Sequence, residues 1–554
     1  MDIKKIFFCI SLCVITTGCH HQANPSAVVT GHPEATKIGA EVLKKGGNAI
    51  DASIAVQLAL AVCLPNAGNI GGGGFMVARM NDGNTYALDF RERAPQKATT
   101  NMYLDSVGNI IDSLSTYGDL SVGVPGTIDG IFKAHEKFGT INIDTLFNYA
   151  INLAFNGFPI TQKQAKALNY YQKDFKKFNP NNDYLQSSKW QANDTLKQLD
   201  LANTLQMIRD NGRDEFYEGE IAKSIVETMR PNGLISMSDL KNYTAIWREP
   251  VTLDFKNYKL ISMPPPSSGG IALSQLIMML FSFNLDDIKH NGLQYVHLLS
   301  EIEKRVYADR SIYLGDMDYY NVPAQNLLSK DYNHNRASEI NLEKATPSNL
   351  ISCGEFNFNE SEETTHFSIV DHFGNAVSLT TTLNTNYGSK VFVINRGFLL
   401  NNEMDDFSSK PGEPNTYGLL GSKANSIEPG KRMLSSMTPS ILEKDDKLFL
   451  ILGSPGGSTI ITSVFQTILN VILFEMDIKH AVDAPRFHHQ WKPEKIYMEK
   501  SDSFNKILKT LTNIGHKYKF RDDIGHVNAI MVDNGNVSVG ADKRGDNYGE
   551  IIKK

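Results

Sequence analysis

The sequence predicts an α+β protein, and three observations carry that reading. Residues 365–370 alternate and are rich in strand formers, Asp371-His372-Phe373-Gly374-Asn375 reads as a turn, and 376–384 reads as a second strand. A second hairpin pattern joins 76–79 to 85–90 about Asp82-Gly83. Helical periodicity runs over 33–46 and 49–62 and through most of 126–330.

The chain has 554 residues, 41% hydrophobic and 21% charged, which suits one large globular protein or two intimately joined parts. A net charge of -6 suggests no polyanion partner. There is no P-loop, no zinc-ligand Cys/His spacing and no basic stripe, so no metal, cofactor or nucleic acid is expected.

Residues 1–19 read as an export signal: Lys4 and Lys5 precede an apolar run over 6–15 that is too short to span a bilayer. Its end, Thr16-Thr17-Gly18-Cys19, resembles a bacterial lipoprotein signal, although Thr16 stands where Leu is preferred. The expectation is export to the periplasm or outer surface, lipid attachment at Cys19 as the only membrane contact, and a tether over 20–26. Of the five cysteines, only Cys63 and Cys353 lie in the body of the chain; Cys63 ends an apolar run and reads as a core residue.

In the second helix Asn48 is the expected cap with Asp51 at its third position, and Ile50, Ile54 and Leu58 line one face. Gly71-Gly72-Gly73-Gly74 lacks the spacing of a nucleotide loop and reads as close backbone packing. Arg91 follows the 85–90 strand; its planar guanidinium is a natural partner for a carboxylate. Pro264-Pro265-Pro266-Ser267-Ser268-Gly269-Gly270 reads as a rigid turn into a helix with no chemistry of its own. Tyr307-Ala308-Asp309-Arg310 lies on a helix and reads as structural. Residues 411–421 are dense in Gly and Pro and read as a mobile surface loop. Residues 447–453 read as a buried strand running into the Pro455-Gly456-Gly457 bend.

The polar, acidic segment ending in Glu362-Glu363 reads as an exposed loop. Pairing centred on Phe373 then sets Thr364 opposite Thr382, with a glycine bulge able to shift the register by one. Taken alone, a Thr–Thr pair is also ordinary sheet stabilisation. The order of Thr364-Thr365-His366-Phe367-Ser368, Thr382-Leu383-Asn384, Asn401-Asn402-Glu403-Met404-Asp405-Asp406-Phe407, Leu434-Ser435-Ser436-Met437 and Gly453-Ser454-Pro455-Gly456-Gly457-Ser458 resembles the γ-glutamyltranspeptidase family from about residue 27 almost to the end.

That resemblance implies an N-terminal-nucleophile hydrolase: a four-layer αββα sandwich made jointly by two subunits, 27–363 and 364–554, cut from one precursor between Glu363 and Thr364 and held as a heterodimer. It implies Thr364 as nucleophile, Thr382 as its hydrogen-bond partner, and the N–H groups of Gly456 and Gly457 as oxyanion donors. Arg91, Ser435 and Ser436 match the binders of a substrate α-carboxylate; Asn384, Glu403 and Asp406 match those of its α-ammonium. Tyr417 matches the gating tyrosine of lid-bearing members. Glu403 stands where many bacterial members have Gln, Met433 where Pro is usual, and Thr459 where Arg is usual. His366, His488 and His489 read as structural, because an N-terminal amine leaves them no task as bases.

The implied activity is γ-glutamyl hydrolysis and transfer, on glutathione and related γ-glutamyl compounds, with water or amino acids and peptides as acceptors. A β-lactam side-chain acylase is the sister expectation, opposed by the loop at 411–421. A non-enzymatic surface lipoprotein is opposed by the retention of Thr364, Arg91 and the Gly456-Gly457 pair.

Overall fold

The computed structural model describes residues 24–111, 113–180, 185, 189–351, 363–410 and 422–553, with Glu363 described by its backbone. The predicted signal with Cys19, the segment before Glu363 including Cys353, and the loop with Tyr417 lie outside the described residues.

Two fully antiparallel sheets form the middle of the molecule. The strands of the first are β1 (Ser26–Thr30), β2 (Gly73–Arg79), β3 (Thr85–Asp89), β4 (Ile246–Arg248), β7 (Glu363–Val370), β8 (Ala376–Asn384) and β13 (Tyr548–Ile552). The second holds β5 (Val251–Phe255), β6 (Tyr258–Ser262), β9 (Ser440–Lys444), β10 (Lys447–Gly453), β11 (Asn528–Asp533) and β12 (Asn536–Ala541). The spatial orders are β13-β1-β7-β8-β2-β3-β4 and β12-β11-β10-β9-β6-β5.

Alternation along the strands divides the core into layers. On one face of the first sheet Val28, Met76, Ala78, Phe367 and Ile369 pack against helices that include α1 (Pro33–Lys44), α2 (Ala49–Cys63), α3 (Thr127–Phe138) and α4 (Ile143–Asn156). On the other face Val29, Phe75, Val77 and Ala87 join the second sheet and, beyond it, α5 (Gly269–Leu280), α6 (Leu293–Tyr313) and α7 (Thr459–Ile472). The result is helix, sheet, sheet, helix, as the resemblance implies.

The hairpin β7–β8 sits at the centre of the first sheet, flanked by β1 and β2. Its register pairs Thr364 with Thr382, and the irregularity falls just past that pair, where Asn384 meets Glu363. The turn is held by Asp371, whose Oδ1 accepts from the Phe373 and Asn375 N–H groups at 2.9 Å each. Gly374 takes φ 91°, the left-handed geometry such a turn needs. The other Asp371 oxygen accepts from the Ala49 N–H at 2.9 Å, docking the hairpin tip on the N-terminus of α2.

Helix α2 has the expected capping box of Asn48 and Asp51. It differs from the sequence reading in being buried on every side, not along one stripe. The stretch 126–330 also departs from its helical reading: β4, β5 and β6 lie inside it and supply the edge of one sheet and two strands of the other.

The four glycines do provide close packing. A Cβ on Gly71 would meet the Leu399 carbonyl, one on Gly72 the Thr382 carbonyl, one on Gly73 the Phe90 carbonyl and one on Gly74 the Thr380 carbonyl. Gly72→Ala should therefore displace β8 at Thr382, with an expected cost of about 1–3 kcal/mol from overpacking. Chemical denaturation measures this, and an unchanged midpoint would show that the strand yields freely.

Candidate active site

The site is built from the start of β7, the end of β8, the residues after β3, the turns that follow β8 and precede β9, and the bend after β10. Thr364 is nearly buried, with 9% of its surface exposed. It opens with Thr365 and Gly456 onto a cleft of about 510 Å³ whose rim includes Lys163, Arg521, Asp523 and Asp546. Across the hairpin, Thr382 Oγ accepts from the Asn384 N–H at 2.7 Å, and its side chain lies beside the Glu403 carboxyl. Asn384 takes φ 75° at the strand end and donates from Nδ2 to the Asn402 carbonyl at 2.9 Å.

Beyond Glu403 lies a buried cation. Arg91 Nη1 is 2.6 Å from Glu403 Oε2 and 3.6 Å from Glu92 Oε2, and Nη2 donates to Asp406 Oδ2. The same guanidinium donates to the Met433 and Leu434 carbonyls at 3.4 Å each, so the chain entering Ser435-Ser436 lies against it. Three carboxyls thus face one guanidinium. Burial works against the Arg91 charge, but Glu403, Asp406 and Glu92 outweigh it and hold its pKa above the ordinary value. Burial pushes the Glu92 and Glu403 carboxyls up to about 8, with Arg91 pulling the other way.

The bend after β10 places Gly456 at φ 130° and Gly457 at φ 55°, both in the region that favours glycine. A Cβ on Gly456 would lie 2.5 Å from the Thr459 hydroxyl, which itself donates to the Gly456 carbonyl at 2.7 Å. Among the described residues no acceptor engages the N–H of Gly456 or Gly457. Two adjacent donors, the first of them lining the Thr364 cleft, suit a developing oxyanion.

The family model for gamma-glutamyltranspeptidase matches residues 35–552. The chain belongs to the γ-glutamyltranspeptidase family. It is 44% identical over 518 residues to the glutathione hydrolase proenzyme of Escherichia coli (strain K12), covering 92% of this chain and 89% of that one. The crystal structure of Helicobacter pylori gamma-glutamyltranspeptidase superposes with a TM-score of 0.57 at 42% identity, over 58% of this chain and 93% of that chain. A cephalosporin acylase from Bacillus halodurans superposes with a TM-score of 0.82 over 99% of this chain and 98% of its own. At 24% identity that likeness carries the fold alone.

Within the family framework, the sequence-selected residues fall into two connected groups. Thr364, Thr382, Glu403, Arg91 and Asp406 form one line of neighbours, and Ser435 and Ser436 continue it through the Leu434 backbone. Gly456 and Gly457 stand across the cleft on the second sheet's bend. Tyr417 lies outside the described residues. The three histidines are engaged elsewhere: His366 bonds the Thr380 and Ser368 hydroxyls at 2.9 and 3.0 Å, and His488 bonds Thr462 at 2.9 Å and Gln490 at 3.0 Å. Burial lowers all three pKa values, His366 and His488 to about 3, so those two stay neutral.

Sequence reasoning placed Asn401 and Asn402 in a motif but gave them no role. Asn401 donates to the Gly71 and Gly123 carbonyls at 2.9 and 2.8 Å and accepts from the Gly123 and Glu403 N–H groups at 2.9 and 3.0 Å. It thereby fixes the backbone that carries Glu403 against the glycine run. Two of the three departures are absorbed locally: Met433 is buried with Met404, Phe407 and Ile427, and Thr459 closes the Gly456 bend.

The carboxyl cluster yields a pH prediction. Glu92 and Glu403 hold protons in the fold that they would release when unfolded, since their ordinary value is 4.5 and the folded value about 8. Their contribution to stability is full below pH 4.5 and is lost as pH rises through about 8. Glu403→Gln removes one of the two groups. The fall in melting temperature between pH 6 and 9 should be shallower in that variant than in the parent; parallel curves would exclude Glu403 from this titration.

Proposed function

We propose that the protein is a γ-glutamyl hydrolase and transferase that acts on glutathione and related γ-glutamyl compounds after cutting itself between Glu363 and Thr364. The observation that carries this reading is the continuity of the site. A threonine at the start of the central strand is paired with Thr382, which leads to a buried arginine–carboxyl cluster, and the glycine bend borders the same cleft as that threonine.

Self-cleavage starts with attack of the Thr364 hydroxyl on the Glu363 carbonyl. The peptide C–N bond gives way to an ester, and water releases Glu363 as a carboxylate with Thr364 as the new N-terminus. The freed amine, with a pKa near ~7.7, is a suitable base for the hydroxyl of its own residue. That hydroxyl then attacks the γ-amide carbonyl of the donor. The Gly456 and Gly457 N–H groups receive the negative charge on oxygen, the amine leaves with a proton, and an acyl-enzyme remains. Water, or the amine of an amino acid or peptide entering by the cleft, takes the acyl group.

The donor's α-carbon carries both signs of charge, and the buried cluster offers both in return. Arg91 with Ser435 and Ser436 takes the carboxylate; Asn384, Glu403 and Asp406 take the ammonium. The contacts between Arg91 and the facing carboxyls are the ones that the substrate's own charged groups replace. The acylase reading is favoured by no feature of the site, and a binding scaffold would have no use for a threonine so placed. The large and small pieces, 27–363 and 364–554, act as one unit. Export and lipid attachment at Cys19 complete the proposal; among the described residues no helix is long and apolar enough to cross a membrane. Mass spectrometry of the N-terminus would find unmodified Cys19 if that last part is wrong.

Incubation of the mature protein with glutathione should release glutamate and cysteinylglycine, and an added dipeptide should divert the γ-glutamyl group to a new product. Thr364→Ala should remain one chain and show no turnover, because one hydroxyl serves both steps. An intact single chain with full activity would sink this reading. Arg91→Lys keeps the charge but loses the two-point grip. It should cut normally yet lose about tenfold or more in kcat/KM, the scale of one charge-assisted hydrogen bond.

A further inference from the structure

Ser436 is not held by Arg91, and the group that does hold it belongs to none of the roles above. Arg310, on α6 and buried to 3% exposure, donates from Nη2 to Ser436 Oγ at 2.9 Å. Its Nε donates to Ser268 Oγ at 2.9 Å. Ser268 in turn donates from both its backbone N–H (2.7 Å) and its hydroxyl (2.8 Å) to the Ser435 carbonyl. The Ser435 N–H donates to the Pro266 carbonyl at 2.9 Å, so the turn 264–270 and the Ser435-Ser436 pair run side by side. One guanidinium is therefore tied directly to the second serine and, through Ser268, to the backbone of the first.

The polarity of these bonds matters. A guanidinium only donates, whereas a serine hydroxyl has one proton to give and two lone pairs that accept. Ser436 Oγ, bonded to Arg310, must be the acceptor in that bond, so its own proton points away from the guanidinium. A fixed cation behind the hydroxyl also strengthens that proton as a donor and favours an anion in front of it.

We propose that Arg310 is a positioning residue for the α-carboxylate of the γ-glutamyl donor: it locks Ser436 as a hydroxyl donor toward that carboxylate and, through Ser268, sets the place of Ser435. This rests on the reading of Ser435 and Ser436 as carboxylate ligands. Arg310 itself does not touch the substrate.

The test is a double-mutant cycle on the full chain, with L-γ-glutamyl-4-nitroanilide as donor and self-cleavage followed on a gel. Arg310→Gln should still cut itself, and should lose about ten- to a hundredfold in kcat/KM, mainly through a higher KM. In a Ser436→Ala background the same substitution should cost less than about threefold, because the hydroxyl it acts through is gone. Arg310→Lys, which keeps the charge and a single donor, should recover part of the loss. An equal loss in both backgrounds, or a loss confined to kcat, would overturn the proposal. Failure of both Arg310 variants to fold and self-cleave would assign the residue a purely structural role and also overturn it. The functional reading fails separately, and this inference with it, if the unaltered protein does not turn over the anilide at all.

Discussion

The register of one hairpin governs the rest of the molecule. With Val370 opposite Ala376, Thr364 must stand opposite Thr382. A slip of one residue would turn every side chain of β7 to the opposite face of the sheet. It would send Phe367 and Ile369 out of the helix-facing core and carry the Thr364 hydroxyl away from Thr382. The register is held at both ends: at the tip by the Asp371 carboxylate on the turn and on α2, and at the open end by the glycine run packed under Thr380 and Thr382. The same hydrophobic alternation that stabilises the sheet thus also aims the nucleophile.

That register was legible in the sequence because the period of a strand is short and the turn has a glycine where a left-handed residue is needed. The capping of α2 and the role of the four glycines were legible for similar local reasons. The strands between 246 and 262 were not. The turn between β5 and β6 uses Lys256 at φ 52° in place of glycine, and β4 has only three residues, so neither a turn signal nor a clear alternation stands out. The full burial of α2 escaped notice because a run of alanines is compatible with one packed face or with all of them. The candidate site was legible mainly through motif resemblance. What resemblance did not supply was the supporting frame: Asn401 looks like any asparagine in a polar turn until its four backbone partners are seen. Likewise, nothing in Tyr-Ala-Asp-Arg announces a contact with a serine more than a hundred residues away.

The electrostatics of the site follow from keeping it dry. Arg91, Glu92 and Glu403 are almost wholly removed from solvent. In such surroundings an unpaired charge is costly, so the arginine and the carboxyls draw together when no ligand is present. An amino-acid head group, with its cation and anion on a single carbon, can enter without leaving either set of protein charges alone. A ligand with only one of those charges cannot do so, which makes the pairing a filter as well as a source of affinity.

Strand β7, with Thr364 near its start, lies between β1 from the first part of the chain and β8 from the last, and β13 from the far end of the chain pairs with β1. Breaking the chain before Thr364 would therefore leave strands of the two fragments interleaved within a single sheet. The precursor folds as one molecule, at a rate that does not depend on dilution. The cut product, once denatured, would have to find its partner by collision and rebuild the centre of a sheet from two molecules. Its persistence is then governed by the height of the unfolding barrier, not by a reversible balance, and the covalent continuity discarded in maturation is a folding template used once.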